Sequence, residues 1–411
     1  MIFIAQIFTR LFTLSVITVA TAGCQLVVDV TDTVSAPRGN TINQGQPIPP
    51  WNSLSLGALP QVTHHQGAVL TALENPASRT QLISVGADGS IIGWDLAAYS
   101  GHRILSLPTP ISLAALGEQA PLVATYSVDG ISVLCVNGCS RSWKLSRLKI
   151  KPTALAFHER DSALLVAGAD GRVYRWRFLN EGTTATVEEQ EKLLERYIAH
   201  QNIVSTVASH PFGRAFFTGD WNGALFGWLP YTADAHAGAY DRNLFGGRFY
   251  SDKISFVQAL RKPDRGISSL TVSASGERLG VGTEDGNVEV WEIKGFVQSA
   301  RQTLHAGRVL SVAFDAKGES IASVGRDQFV SVAALERDPS FGIAPNATSW
   351  RLLPATHQRI ENAKHVLFLR NGNLIVTTSE GALAEVSDLK APPPTSIPTP
   401  RSTNTLQDSD Y

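Results

Sequence analysis

The sequence has no excess of either charge. Its 411 residues carry 35 Lys and Arg against 36 Asp and Glu, a formal net charge of −1 at pH 7. A chain with this balance has no general basic field with which to hold nucleic acid. We therefore expect no nucleic-acid partner.

Cysteine is scarce, and the motifs of metal, cofactor and catalytic sites are missing. The three cysteines form no C-x-x-C-H haem site, and no Cys/His cluster has zinc spacing. Phosphate-binding loops, nucleophile elbows and paired-histidine metal motifs are also missing. The sequence therefore predicts no metal, no cofactor and no enzymatic activity.

What the sequence does contain is a repeat. The stretch "SVGADGSIIGWDL" at 84–96 returns at 164–178, 215–229 and 278–293, each time with Trp six places after Asp or Asn. Three weaker copies bring the total to seven, and the turn residues of the seven copies are Asp88, Asp129, Asp170, Asn222, Asp285, Asp327 and Glu380. Their spacings are 41, 41, 52, 63, 42 and 53 residues, a period near 41 with three insertions.

Each copy predicts a series of short strands, rich in β-branched and aromatic residues and separated by Gly, Asp and Asn. One such unit cannot bury both faces of its sheet, so stacked neighbours are the stable arrangement. The pattern resembles the WD-repeat family, whose four-stranded blades form a closed β-propeller. The resemblance covers roughly residues 53 to 389 and implies an all-β, seven-bladed propeller of antiparallel blades.

In that family a His at the start of the blade, a Ser or Thr, the turn Asp and the Trp form a hydrogen-bonded tetrad. The resemblance assigns structural tetrads to blades one and four, namely His65, Ser84, Asp88 and Trp94, and His200, Thr218, Asn222 and Trp228. Blade six has His305, Ser323 and Asp327 but Ala333 in place of Trp. A buried carboxylate needs hydrogen-bond partners, and a tetrad supplies them. These residues are therefore expected to be scaffold.

The two ends of the repeat region predict how the ring closes. The last copy ends at "LAEVSDL", and the Pro/Thr/Ser tail at 390–411 is not expected to fold. The segment 52–64 precedes the first strand of blade one and has strand-like apolar content. We predict that it lies beside the C-terminal strands of blade seven, which leaves no open edge and gives a propeller spanning 52–389.

The first residues predict export. Residues 1–23 carry Arg10 before the run "LFTLSVITVATAG", which is too short for a comfortable membrane span and is typical of a signal peptide. The ending "TAGC" resembles a bacterial lipoprotein processing box, which implies a lipid anchor on Cys24. Gln25, directly after this Cys, resembles lipoproteins that are passed on to the outer membrane, and the protein is expected on the periplasmic side of that membrane. The segment 24–51 is predicted to be a flexible tether. The alternatives are a plain cleaved signal and an uncleaved anchor.

The remaining cysteines, Cys135 and Cys139 in "VLCVNGCSR", suggest a disulfide in an oxidising compartment. A two-residue turn at Asn137-Gly138 would place the thiols on opposite faces of the sheet. A three-residue loop with Gly138 in the left-handed conformation would place them opposite each other, where they can bond. Both alternatives are open.

A long insertion follows the third strand of blade four, at 230–253. It is enriched in residue types common at binding hot spots, and the candidates for partner binding are Tyr240, Arg242, Phe245, Arg248, Phe249 and Tyr250. The alternative is that these aromatic side chains pack back on the blade as a small satellite core.

Together these features predict a non-catalytic interaction scaffold of a cell-envelope complex, anchored to the membrane by lipid, with other envelope proteins as partners. The alternative is a propeller enzyme or ligand sensor whose site lies in the central channel. Titratable side chains that converge on the channel mouth would favour the enzyme. An apolar patch on a loop would favour the scaffold.

Overall fold

The computed structural model describes residues 61–136, 142–145, 149–158, 162–178, 194–213, 215–229, 256–261, 265–338 and 350–386. Within them the fold is all-β, with seven antiparallel sheets arranged as a seven-bladed propeller and no α-helix. The predicted fold class is confirmed. The predicted signal peptide, tether and tail lie outside the described residues.

The first three blades follow one another along the chain. Blade one contains β1 (Gln61–Val62), β2 (Val69–Glu74), β3 (Gln81–Gly86), β4 (Ser90–Asp95) and β5 (Ser100–Ser106). Blade two contains β6 (Ile111–Leu116), β7 (Leu122–Ser127), β8 (Gly130–Cys135) and β9 (Ser142–Leu145). Blade three contains β10 (Pro152–His158), β11 (Ala163–Gly168), β12 (Arg172–Trp176) and β13 (Leu194–Ile198).

The other four blades repeat this order. Blade four contains β14 (Val204–Ser209), β15 (Phe216–Asp220), β16 (Leu225–Leu229) and β17 (Phe256–Arg261). Blade five contains β18 (Ile267–Val272), β19 (Arg278–Thr283), β20 (Asn287–Glu292) and β21 (Val297–Thr303). Blade six contains β22 (Val309–Phe314), β23 (Ser320–Gly325), β24 (Phe329–Arg337), β25 (Trp350–Leu352) and β26 (Thr356–Arg359), and blade seven contains β27 (Ala363–Phe368), β28 (Leu374–Thr378) and β29 (Leu383–Val386).

The second strand of each blade forms most of the core. In β11 every residue of "ALLVAG" is buried, and in β3 five of the six residues of "QLISVG" are. A strand covered on both faces needs no polar residue at alternate positions, so its sequence is a continuous run of apolar and small residues. The hairpin turn that follows β3 contains Gly89 at φ +82°, a conformation that glycine adopts without steric cost.

The inner strands are joined to one another around the central channel. Each begins with a shift of register against the second strand. In three neighbouring blades the residue at this shift carries a hydroxyl that donates to a carbonyl at the start of the next inner strand. Thr153 bonds Val204 O, Ser205 bonds Ile267 O, and Ser268 bonds Val309 O at 2.6 Å. These bonds connect blades three to six in sequence.

Blades one and seven are neighbours, so the ring is closed. β2 packs against β27 and β28, and Arg370 Nη1 donates to Pro76 O at 2.7 Å. The described part of the predicted closing strand differs from expectation, because Gln61 and Val62 pair with β5 of blade one. The outermost strand of a blade has a free edge, and these two residues cover part of that edge. Residues 52–60 lie outside the described residues, within which blade seven has three strands.

Candidate functional site

In blade one the four predicted tetrad residues meet in a hydrogen-bond chain that also includes Ser90. Trp94 Nε1 donates to Ser84 Oγ at 2.7 Å, and Ser84 Oγ lies 2.7 Å from His65 Nε2. On the other side of the ring, His65 Nδ1 lies 2.6 Å from Ser90 Oγ, which donates to Asp88 Oδ1 at 2.7 Å. Each hydroxyl accepts one hydrogen bond and donates another, which assigns His65 as a neutral ring protonated at Nδ1.

The ionisation states in blade one follow from burial and hydrogen bonding. Burial lowers the pKa of His65, and the attraction of Asp88 only partly opposes this. Burial raises the pKa of Asp88, but hydrogen bonds from Ser90 and from the Gln66 amide outweigh it and place the pKa below its usual value. The blade therefore holds a neutral imidazole beside an ionised carboxylate.

Blade four forms the same arrangement with a different acid. Trp228 Nε1 donates to Thr218 Oγ1 at 2.7 Å, and Thr218 Oγ1 lies 2.7 Å from His200 Nε2. The carboxylate beside His200 Nδ1 is that of Asp220, at 2.9 Å. Asn222, predicted for this place, is exposed, and its amide N–H donates to Asp220 Oδ1 at 3.0 Å. The prediction of Asn222 is therefore wrong.

Asp220 takes the place predicted for Asn222 for a steric reason. In blades one and six a glycine lies two residues before the turn acid, and a Cβ on Gly86 or Gly325 would lie 2.3 Å from Nδ1 of the blade's His. Blade four has Asp220 at the equivalent position, so its own carboxylate fills the space beside the ring. The signal was present in "TGDWNG", which has an acid where "SVGADG" has glycine.

Blade six forms a three-residue version of the network. His305 Nε2 lies 2.8 Å from Ser323 Oγ, and His305 Nδ1 lies 3.1 Å from Asp327 Oδ1. The other Asp327 oxygen accepts the Ala306 amide at 2.8 Å. Burial lowers the pKa of His305, as it does for the histidine of blade one. Ala333, in place of Trp, is fully buried.

Blade five replaces the histidine network with buried contacts that the sequence reasoning missed. Trp291 Nε1 donates to Glu289 Oε2 at 3.1 Å, and Glu289 is fully buried. Thr283 Oγ1 donates to Asp285 Oδ1 at 2.6 Å. The spacing in "VEVW" indicates the contact between Glu289 and Trp291, because residues two apart on a strand share a face. Glu289 is therefore on the side of the sheet that holds the tryptophan.

The inner strands carry one histidine with a strongly shifted pKa. Burial, and then the charge of Lys364, lower the pKa of His365 on β27 to about 4. Within the described residues, no three His, Cys, Asp or Glu side chains are grouped so that they could hold a metal ion. No helix in that part of the chain is long and apolar enough to cross a membrane.

Several predicted site residues lie outside the described residues. These are Cys24, Cys139, Tyr240, Arg242, Phe245, Arg248, Phe249 and Tyr250. Cys135 is disulfide-bonded, and its pairing with Cys139 stays a prediction. The lipid anchor and the insertion's role in binding also stay predictions.

Comparison with known proteins identifies the repeat. A family model described as WD domain, G-beta repeat, matches residues 191–228, which run from the outer strand of blade three to the blade-four tryptophan. Periodic tryptophan protein 2 of Arabidopsis thaliana is 26% identical over 238 residues, which are 55% of this chain and 24% of that protein. Its Dictyostelium discoideum homolog is 24% identical over 268 residues, 63% of this chain and 28% of that protein. The chain thus spans about a quarter of the length of these relatives.

A solved structure of U3-55K is similar in fold. The two structures give a TM-score of 0.55 at 15% sequence identity, over 78% of this chain and 91% of the other. At that identity the likeness concerns the fold alone. The seven blades make the described chain a β-propeller, and the family model places a WD repeat at residues 191–228.

Proposed function

We propose that this chain is a non-catalytic protein-interaction scaffold within a multiprotein complex. The observation that carries the proposal is the use of the buried histidines of blades one, four and six. Both ring nitrogens of His65, His200 and His305 lie within hydrogen-bond distance of side chains of their own blade. These histidines, which lie beside acids as in catalytic His–Asp pairs, therefore use both ring nitrogens for hydrogen bonds within the propeller. The match of residues 191–228 to the WD domain, G-beta repeat model supports the same class of function.

The test is the native mass of the protein. We expect the tagged full-length chain, expressed at its natural level and gently extracted, to elute well above its 44.2 kDa mass. Crosslinking should join it to the same proteins in constant proportion. Elution as a monomer, with no constant crosslinked partner, would contradict the scaffold proposal.

We further propose, on the sequence alone, that the complex lies at the periplasmic side of a membrane and that Cys24 carries the lipid anchor. The support is "TAGC" after the apolar run, followed by a polar, Pro-containing segment before the propeller. The relatives come from a plant and an amoeba and lend no support to export or to a bacterial envelope. Replacing Cys24 with Ala should release the protein from the membrane fraction or leave it unprocessed. Normal processing and membrane retention of that variant would refute the anchor.

A further inference from the structure

The channel wall carries a ring of seven equivalent residues, one from each inner strand. Each inner strand packs against the inner strands of both neighbouring blades, so the seven strands enclose the channel. The residue at the register shift of each strand belongs to the ring, which we call the wall ring: Leu70, Ser112, Thr153, Ser205, Ser268, Leu310 and Lys364. In every strand the residue before it is buried, whereas the wall-ring residue is exposed or half-buried. Since the second strand covers the other edge of each inner strand, this exposure is to the channel.

Lys364 is the only charged member of the wall ring. Apart from two histidines, the seven inner strands contain one other ionisable side chain, Glu74, which accepts the Arg370 amide at 2.6 Å. Glu74 comes four residues after Leu70 on β2, so it lies about 13 Å further along the channel. The wall therefore presents one cation and no acid at the level of the wall ring.

The charge of Lys364 is not neutralised by the described part of the protein. Its side chain is exposed and forms no hydrogen bond or ion pair there. Burial is the first cause of the low pKa of His365, the charge of Lys364 is the second, and no acid opposes them. Glu361, three residues before Lys364, lies 3.6 Å from Arg359 instead.

Acids also lie at this end of the propeller, on the turns between the second and third strands. Each accepts a hydrogen bond or forms an ion pair: Asp88 with Ser90, Asp129 with Thr109, Asp170 with Tyr174, Glu284 with Arg308, Asp285 with Thr283, Asp327 with the Ala306 amide, and Glu380 with Asn362. These turns lie outside the inner strands, and the blade-six turn also carries the exposed Arg326. The residues directly before the inner strands include Lys151 and Arg308 and no acid. The border of the channel itself is therefore cationic.

The neighbours of Lys364 in the wall ring are apolar. Blade seven lies between blades six and one, whose wall-ring residues are the half-buried Leu310 and Leu70. Leu310 packs against the apolar residues between blades six and seven. The hydroxyls of Thr153, Ser205 and Ser268 belong to other blades and already donate to carbonyls. A single charged group in a concave, mainly apolar wall is typical of a small-ligand site.

We propose that the channel binds an organic carboxylate at the wall ring. The carboxylate pairs with the Lys364 ammonium, and the apolar body of the ligand lies against Leu70 and Leu310. The low-dielectric wall of a channel strengthens the attraction of one charge relative to an open surface. Inorganic phosphate would leave the two leucines uncovered, and an ammonium ligand would meet a like charge. This inference goes beyond the scaffold proposal, because it gives the channel a ligand of its own.

The experiment uses hexanoate as the probe and observes Lys364 directly by NMR. The lysines of the full-length chain are methylated with isotope-labelled formaldehyde, which keeps their charge, and the Lys364 signal is assigned by its absence in Lys364→Gln. We expect hexanoate to shift the Lys364 signal saturably. The signal of Lys317, an exposed lysine in the β22–β23 hairpin at the other end of blade six, should not move. Hexanol, hexylamine and inorganic phosphate should each bind at least about fivefold more weakly.

Variants of the unmethylated chain then locate the site by ligand-detected NMR. Lys364→Gln should weaken hexanoate binding by about tenfold or more, and Lys364→Arg, which keeps the charge, by less than about threefold. The matched control Lys317→Gln should change the affinity by less than about twofold. If Lys364→Gln fails to fold, the Lys364→Arg variant and the lysine signals still decide the result.

Three results would overturn the proposal: no saturable shift of the Lys364 signal, an equal loss in Lys317→Gln, or phosphate binding as tight as that of hexanoate. An acetylated Leu-Glu-Leu peptide distinguishes the source of the carboxylate. Tighter binding than hexanoate assigns it to a side chain of a partner protein, and weaker binding assigns it to a free small molecule. If Lys364→Gln retains its crosslinked partners, the scaffold proposal stands whichever result the binding experiment gives.

Discussion

Replacing Asp220 with Ala removes the carboxylate that completes the blade-four tetrad. Asp220 is 2% exposed and accepts from His200 Nδ1 at 2.9 Å. It also accepts the backbone amides of Asn222 and Ala224, at 3.0 and 2.8 Å. The change therefore leaves three donors without their acceptor, and those of His200 and Ala224 are buried.

The magnitude follows from these donors. A buried donor without a partner costs about 1–3 kcal/mol, so two of them predict a loss of about 2–6 kcal/mol in the free energy of unfolding. Water can reach the amide of the exposed Asn222, so that donor adds little. The matched control is Asn222→Ala, an exposed change two residues away. We expect it to alter the free energy of unfolding by no more than about 0.5 kcal/mol.

Urea unfolding followed by tryptophan fluorescence measures both variants. The reasoning is refuted if Asn222→Ala costs as much as Asp220→Ala, or if Asp220→Ala costs less than about 0.5 kcal/mol. A third variant, His200→Phe, removes the donor on the other side of the contact. Combining it with Asp220→Ala should cost at least about 1 kcal/mol less than the sum of the single losses, because the two residues interact directly.

Three further predictions concern other parts of the ring. Gly286→Ala should destabilise the fold far more than Gly372→Ala in thermal melts: both glycines have φ near +90°, but only at Gly286 would a Cβ meet a neighbour, His305 O at 1.9 Å. The pKa of His365 is about 4 in the folded protein against 6.5 for a free histidine, so the folded state favours the neutral ring. The contribution of His365 to the free energy of unfolding should therefore be fully present well above pH 6.5 and be reduced by about 2 kcal/mol at pH 5. In urea unfolding at both pH values, His365→Gln should show a smaller fall than the unchanged protein, and an equal fall would contradict the assignment. Alkylation without reduction should label neither Cys135 nor Cys139, and labelling of both would exclude their disulfide.

The sequence by itself determined the class of fold and the number of blades. A period near 41 residues, short β-rich segments and a repeated turn before Trp are local properties of the chain, and a single blade cannot bury both its faces. The residues of the blade-one tetrad followed from the resemblance to the WD-repeat pattern. Asp88 is on the turn, and His65 and Ser84 come before it at the positions that the family pattern assigns.

Only the tertiary structure decided which groups complete the contacts between strands. Asp220 and Asn222 are two residues apart and follow His200 by 20 and 22 residues. The motif position favoured Asn222, whereas the folded blade places the Asp220 carboxylate in the space beside the ring. Likewise, Gln61 and Val62 pair with β5 because of the edge that the folded blade leaves free.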